Sequence, residues 1–200
     1  VCTLADIQNM GYEVILVSSG AIAVGRNKLN MHEKPDSMRM KQAAAAVGQC
    51  SLMYLYDKFF GDYDKTVAQI LLNAEDIEQE EKKENLTNTF DALLEMGVIP
   101  IVNENDSVSY KEIESEDRFF GDAKLIKEIR QIDESVYSLA GGAGSRRGTG
   151  GMRTKLQAAE LAASQGIDTI VTNGKHPEAL YDIVNGKQAG TLFVGNKDCL

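Results

Sequence analysis

The sequence predicts an α/β protein, a three-layer α/β/α sandwich whose mainly parallel sheet lies between helical layers. Three observations predict it. Short apolar runs rich in β-branched residues recur at 13–17, 66–72, 98–102 and 167–171. Segments of helical period stand between them, and small or amide residues follow the runs where a parallel strand would deliver the chain to a ligand crevice.

Taken in order, Val1, Leu4, Ala5, Ile7 and Met10 fall at helical spacing, and Gly11 is placed to end that helix in a left-handed cap. Glu13-Val14-Ile15-Leu16-Val17 is continuously apolar after its first residue, which suits a parallel strand covered on both faces better than an edge strand. The chain then breaks into Ser18-Ser19-Gly20-Ala21. Ser37 is a candidate cap for a long helix through Met38, Ala43 to Val47, Leu52, Leu55 and Phe59, with Gly48 a mild weak point in it.

After the strand at 66–72, the acidic run Glu75 to Glu84 leads into a helix with Leu86, Phe90, Leu93 and Leu94 on one face, and Gly97 stops it. The strand at 98–102 contains Pro100, which argues against a central place in the sheet because proline lacks the amide a ladder needs. A helix from Ala123 to Arg130 is expected next. A glycine-rich loop, a helix from Thr154 to Gln165 closed by Gly166, and the strand Ile167 to Val171 follow.

With 200 residues and 43% hydrophobic content the chain can build one well-buried core, and one domain over 1–200 is expected. Its 21 basic and 30 acidic residues give a net charge of -9, which repels a polyphosphate backbone, so no nucleic-acid partner is expected. The three cysteines are too sparse for a disulfide scaffold and lack zinc spacing; reduced thiols in a cytoplasmic protein are expected. No apolar run is long enough for a membrane span. The first residue, Val1, is not Met and already reads as helix, so the natural start is expected upstream.

Two polar clusters follow predicted strands: Ser18-Ser19-Gly20-Ala21 and Asn103-Glu104-Asn105-Asp106. Either alone is also what a tight turn uses. Four consecutive hydrogen-bonding side chains directly after a buried strand exceed what a turn needs, which favours ligand binding at the second. The stretch from Gly141 to Gly151 is dense in glycine and runs into a helix carrying Lys155 in its first turn. Backbone amides can approach an anion closely there, and the helix start adds partial positive charge. It is not a Walker A loop, because no Lys-Ser/Thr pair follows at the required spacing, nor the dinucleotide fingerprint, because Arg153 stands where the third glycine should be. A surface linker is the alternative, but a linker rarely runs straight into a helix with a lysine in its first turn, which favours phosphate binding at the helix start.

Several segments together resemble the amino acid kinase family, and within it the members that phosphorylate the side chain of glutamate. They are Val17-Ser18-Ser19-Gly20-Ala21-Ile22-Ala23-Val24-Gly25, Ala46-Val47-Gly48-Gln49 with Leu52-Met53, and Pro100 to Asp106. Phe120-Gly121-Asp122, Gly148-Thr149-Gly150-Gly151-Met152 with Thr154-Lys155-Leu156, and Gly190-Thr191-Leu192-Phe193 complete the series. The resemblance implies transfer of the γ-phosphoryl group of ATP, carried with Mg²⁺, to the side-chain carboxylate of L-glutamate. The product, glutamyl 5-phosphate, opens proline biosynthesis. It also implies a homo-oligomer inhibited by proline.

By the same resemblance, Ser19 and the backbone of Gly20 meet the glutamate and the phosphoryl group, and Asn103 and Asp106 hold the amino acid, with Asp106 facing its α-ammonium. Asp122 organises charge around the phosphates; Thr149, Gly150, Gly151, Met152, Arg153, Thr154 and Lys155 surround the nucleotide, and Lys155 stabilises charge in transfer. No metal site of the protein's own is expected. A carboxylate nucleophile is ionised at neutral pH and needs no general base, so His32 and His176 are read as surface or structural residues.

Parts of the family pattern are missing. The first strand, with its Lys-x-Gly-Ser/Thr loop, would precede Val1. Asp122 should continue into Asn-Asp and a few dozen residues holding a helix, a strand and a Ser/Thr-Asp segment; here Ala123-Lys124-Leu125-Ile126 follows at once. Omitted residues are the expectation, since loss of a central strand would bare apolar faces worth tens of kcal/mol at ~25 cal/mol per Å². No RNA-modification-type domain is expected after the kinase domain. The rival readings are kinases of the same fold acting on acetylglutamate or uridylate, a non-catalytic amino acid sensor, and a dinucleotide-dependent oxidoreductase.

Overall fold

The computed structural model describes residues 1–33, 35–108, 126–140 and 151–197. They fall into two compact units, Val1–Ile113 and Glu114–Leu200. Both are α/β.

In the first unit, α1 (Cys2–Asn9) ends as expected, with Gly11 at φ 94°. β1 (Leu16–Val17) leads through Gly20 into α2 (Ala21–Lys28), and α3 (Met38–Gly61) follows. Ser37 caps α3, its Oγ accepting from the Met40 amide at 3.4 Å. β2 (Val67–Leu72), α4 (Ala74–Glu78), α5 (Glu80–Glu95) and β3 (Ile99–Glu104) complete the unit. The single helix expected after the acidic run is two, because Gln79 takes an extended ψ of 117° between them. The Asp76 carboxylate accepts from the Asn73 amide at 2.8 Å and holds the start of α4. Gly97, at φ 71°, stops α5 as its lack of a Cβ allows.

The three strands form a parallel sheet in the order β1-β3-β2. Two expectations fail here. β3 is central although it carries Pro100, and the reason is parity. The amides of Ile99 and Asn105 donate to Thr66 and Leu72 on the β2 side, so alternation turns position 100 toward β1, whose pairing starts only at Leu16 opposite Ile101. The missing amide therefore breaks no bond to β2, and Pro100 is fully buried. β1, in contrast, is an edge among the described residues, and Val17 is 75% exposed. Within its apolar run Val14 is buried and Leu16 half-buried, while Ile15 and Val17 are exposed, so only one face of the strand is covered by described elements.

The core of this unit is built on Ala5, Ile7, Ala44, Ala45, Phe60, Ile99 and Ile101. Gly48 is no weak point in it. A Cβ on Gly48 would lie 1.7 Å from the Ala21 carbonyl oxygen, so the glycine lets α2 and α3 pack backbone to backbone.

In the second unit, β4 (Glu128–Ile129), α6 (Glu134–Ala140), α7 (Gly151–Ser164), β5 (Thr169–Val171), α8 (Ala179–Val184) and β6 (Thr191–Phe193) follow in order. The helix expected from Ala123 to Arg130 is not formed in its described part: Glu128 and Ile129 pair with Leu192 and Phe193 instead. Ile129 is among the β-branched residues that pack against Phe193's cluster, and this tertiary pairing outweighs the local helical pattern. β4 and β6 are parallel and β5 and β6 antiparallel, so the sheet is mixed. Leu156 and Ala159 of α7 pack with Phe193 as this unit's core.

Candidate functional site

The carboxyl ends of β1 and β3 lie side by side in the first unit, joined by the Ser18 amide donating to the Val102 carbonyl at 2.8 Å. Beyond β1 the chain turns on Gly20, whose φ of 104° admits glycine far more readily than other residues, and α2 starts at once. The first amides of a helix have no partners within it, so the start of α2 offers donors beside the exposed Ser19. Ser18 is half-buried and hydrogen-bonds the Tyr56 hydroxyl of α3 at 2.7 Å, which ties this turn to the long helix.

Beyond β3, Asn103 is 6% exposed and fully engaged. Its Oδ1 accepts from the Glu104 amide at 3.0 Å, and its Nδ2 donates to Gln49 Oε1 of α3 at 2.7 Å. The chain then turns: the Val108 amide donates to the Asn105 carbonyl, and Ser107 Oγ donates to Asn105 Oδ1 at 2.9 Å. Asp106 lines a small, open cleft at this turn, whose walls also include Ala21, Gln49, Glu104 and Ser107. Burial pushes the Asp106 carboxyl above its ordinary range, and the charge of Glu104 adds to the effect. Among the described residues no cation contributes in the opposite direction. A half-buried carboxylate in that state gains from a positively charged ligand.

Of the acceptor residues expected from the sequence, Asp106 lines the cleft as its ionisable group, whereas Asn103 is outside the lining and bonds to it through Gln49. Gly20 immediately precedes the cleft residue Ala21, and Ser19 stands outside the lining. The sequence assigns no site role to Tyr56, nor to Gln49 beyond its place in the resembling segment Ala46-Val47-Gly48-Gln49. The signal for Gln49 was available: a long amide four residues after Ala45, on the helical face that the buried Ala45 and Gly48 define.

In the second unit, Gly151 opens α7, and Met152, Arg153, Thr154 and Lys155 are all exposed in its first turns. Leu156 and Ala159 face the core and so fix the helix's rotation. The Arg153 guanidinium lies over the Tyr137 ring, 5.7 Å from its centre, and the Tyr137 hydroxyl donates to Glu160 Oε2 at 2.6 Å. That bond to a carboxylate pushes the Tyr137 hydroxyl's pKa up. Asp122, Thr149 and Gly150 lie outside the described residues. His32 and His176 are exposed, as expected, with His176 Nδ1 3.1 Å from Glu178.

The family model described as "Amino acid kinase family" matches residues 2–123. The chain belongs to the amino acid kinase family. Among its relatives, a protein of Clostridium perfringens (strain 13 / Type A) named glutamate 5-kinase is 48% identical over 97% of this chain and 85% of its own. Proteins of the same name from Clostridium tetani and Enterococcus faecalis are 45% and 43% identical, over 95% and 96% of this chain and 83% and 84% of theirs. The alignment with the Clostridium perfringens protein runs over 229 residues, more than the 200 of this chain, so that amino acid kinase has residues with no counterpart here. Among the described residues no helix is long and apolar enough to cross a membrane.

Proposed function

We propose that this amino acid kinase transfers the γ-phosphoryl group of ATP to the side-chain carboxylate of L-glutamate, giving glutamyl 5-phosphate, the first step of proline biosynthesis. The observation that carries the reading is the cleft at the end of β3, where a pinned Asn103 stands behind a half-buried, cation-seeking Asp106. The relatives' shared name supports glutamate as the acceptor.

In the reaction, a γ-carboxylate oxygen forms a bond to the γ-phosphorus as the bond from that phosphorus to the bridging oxygen breaks, and ADP leaves. No proton has to be removed from the nucleophile, so alignment and charge stabilisation account for the catalysis. Asp106 receives the α-ammonium and Asn103 fixes the wall behind it. Ser19 and the amides at Gly20 and the start of α2 meet the reacting groups. In the second unit, Thr149, Gly150, Gly151, Met152, Arg153 and Thr154 surround the nucleotide, and Lys155 stabilises the charge on the moving phosphoryl group. Mg²⁺ comes with ATP on its phosphates, and Asp122 organises charge there.

The same proposal holds that 1–200 is one amino acid kinase domain of three-layer α/β/α form, cytoplasmic, homo-oligomeric and inhibited by proline. It also holds that the relatives' extra residues fall after Asp122. Two facts support that place: the family match ends at 123, and the alignment with a relative is longer than the chain. Those facts also favour a second reading, in which the chain binds glutamate without turning it over.

A coupled ADP-release assay with glutamate, with and without proline, tests the proposal. Glutamate-dependent release suppressed by proline is expected. Glutamate binding with no ADP release selects the second reading, and the absence of both removes glutamate as the acceptor.

A further inference from the structure

We propose that the side-chain amide of Gln49 binds the α-carboxylate of the acceptor amino acid and sets the protein's selectivity for it. The inference rests on the reading of this cleft as the glutamate site.

Gln49 is oriented by its neighbours. The Glu104 amide donates to Asn103 Oδ1, which leaves Asn103 Nδ2 as the donor to Gln49. Gln49 must therefore present Oε1 to Asn103, since the flipped amide would set two donors against each other. Its Nε2 is left pointing elsewhere, buried and without a partner among the described residues. A buried N–H group left unpaired is costly, and its satisfaction by a ligand acceptor is a source of binding selectivity.

The cleft decides which acceptor. Gln49 and Asp106 line the same small space, with Glu104 beside them, while Ser19 is outside its lining. An α-ammonium placed against Asp106 carries its α-carboxylate on the same carbon, only a few ångströms away at the scale of such a molecule. Between two acidic side chains a carboxylate needs a donor, and Gln49 supplies an uncharged one. The γ-carboxylate has to leave this wall to reach a phosphoryl group.

Isothermal titration of the full chain with L-glutamate and with L-isoglutamine, its α-amide, tests the assignment. Wild type is expected to bind glutamate at least about tenfold more tightly, because a neutral amide is a poorer acceptor and brings a donor toward a donor. Gln49→Ala is expected to lose about tenfold or more for glutamate and about threefold or less for isoglutamine. Gln49→Glu still accepts from Asn103 but now offers an acceptor to the ligand, so its preference is expected to shift toward isoglutamine by about tenfold or more. Equal losses for both ligands in both variants would mean that Gln49 only supports Asn103, and would overturn the inference. So would a wild type that does not distinguish the two ligands. A wild type that binds neither ligand overturns the glutamate reading, and this inference with it.

Discussion

Gly25 of α2 and Gly48 of α3 meet backbone to backbone: a Cβ on Gly48 would lie 2.6 Å from the Gly25 nitrogen, and one on Gly25 would lie 1.8 Å from the Ala44 carbonyl oxygen. Neither obstacle is a side chain that can turn away. Helical propensity alone would make Gly48→Ala stabilising by about 1 kcal/mol. Separating two helices costs about 1–3 kcal/mol or more, and contacts this short place the site at the upper end. Gly48→Ala is therefore expected to destabilise by about 2 kcal/mol and to lower Tm by about 4–8 °C. Glutamate affinity should fall too, because α2 begins beside the cleft and α3 carries Gln49. Thermal unfolding and ligand titration check both; a rise in Tm would show that the helices separate at little cost.

Asp106 should be unfavourable for the fold and favourable for binding. Its carboxyl is pushed up by burial and by Glu104, so the native state holds a proton more tightly than the unfolded chain. Stability from this group is then present below its unfolded value and is lost as pH rises through the raised folded value. At neutral pH, Asp106→Asn removes a charge that sits poorly in the wall, and Tm is expected to stay level or rise. Binding should do the reverse. An ammonium ligand prefers the ionised form, so wild-type affinity should weaken as pH falls through the raised pKa. The variant should bind glutamate at least about tenfold more weakly and lose that component of the pH profile. Calorimetry across the acidic range, run on both proteins, measures the difference.

Lys155 is exposed in the first turns of α7 and contributes nothing to the core made by Leu156, Ala159 and Phe193. Lys155→Ala is expected to change stability by no more than about 0.5 kcal/mol. If the side chain stabilises the moving phosphoryl group, glutamate-dependent kcat falls by about 100- to 1000-fold. Steady-state kinetics beside a melting curve separates the two effects. Unchanged turnover in a folded variant would remove Lys155 from the chemistry.

Much of the fold is legible from pattern because burial and chain stops are local signals. Ser37, Gly11 and Gly97 mark helix ends by chemistry that acts within a few residues. What is not legible depends on which neighbour stands where. Pro100 reads as a reason against a central strand, yet nothing in the chain near it tells that its nitrogen faces the side where β1 has not begun. Glu128 and Ile129 sit in a helical pattern and become a strand only because β6 lies alongside. The site divides in the same way. Asn103 and Asp106 stand out as a polar cluster after an apolar run, whereas Gln49 lies 54 residues from Asn103 and acquires meaning through the bond between them.

The same dependence on contact governs Arg153. Its guanidinium rests on the face of the Tyr137 ring, whose hydroxyl in turn donates to Glu160, so Tyr137 takes part in two interactions of different kinds. They can be separated. Tyr137→Phe keeps the ring under the guanidinium and loses the bond to Glu160, whereas Tyr137→Ala loses both. An exposed cation–π contact contributes about 0.5–1 kcal/mol, or a factor of about 2–5 in binding. If Arg153 serves the nucleotide from that rest, Tyr137→Ala should raise KM for ATP about two- to fivefold and leave KM for glutamate unchanged. Tyr137→Phe should leave both unchanged, since the face of the ring and not its hydroxyl carries the contact. Arg153→Ala should raise KM for ATP at least as far as Tyr137→Ala, and combining it with Tyr137→Ala should add nothing further, because the ring then has no guanidinium to place. Additive effects in that double variant would mean that Tyr137 reaches the nucleotide by a route that does not pass through Arg153.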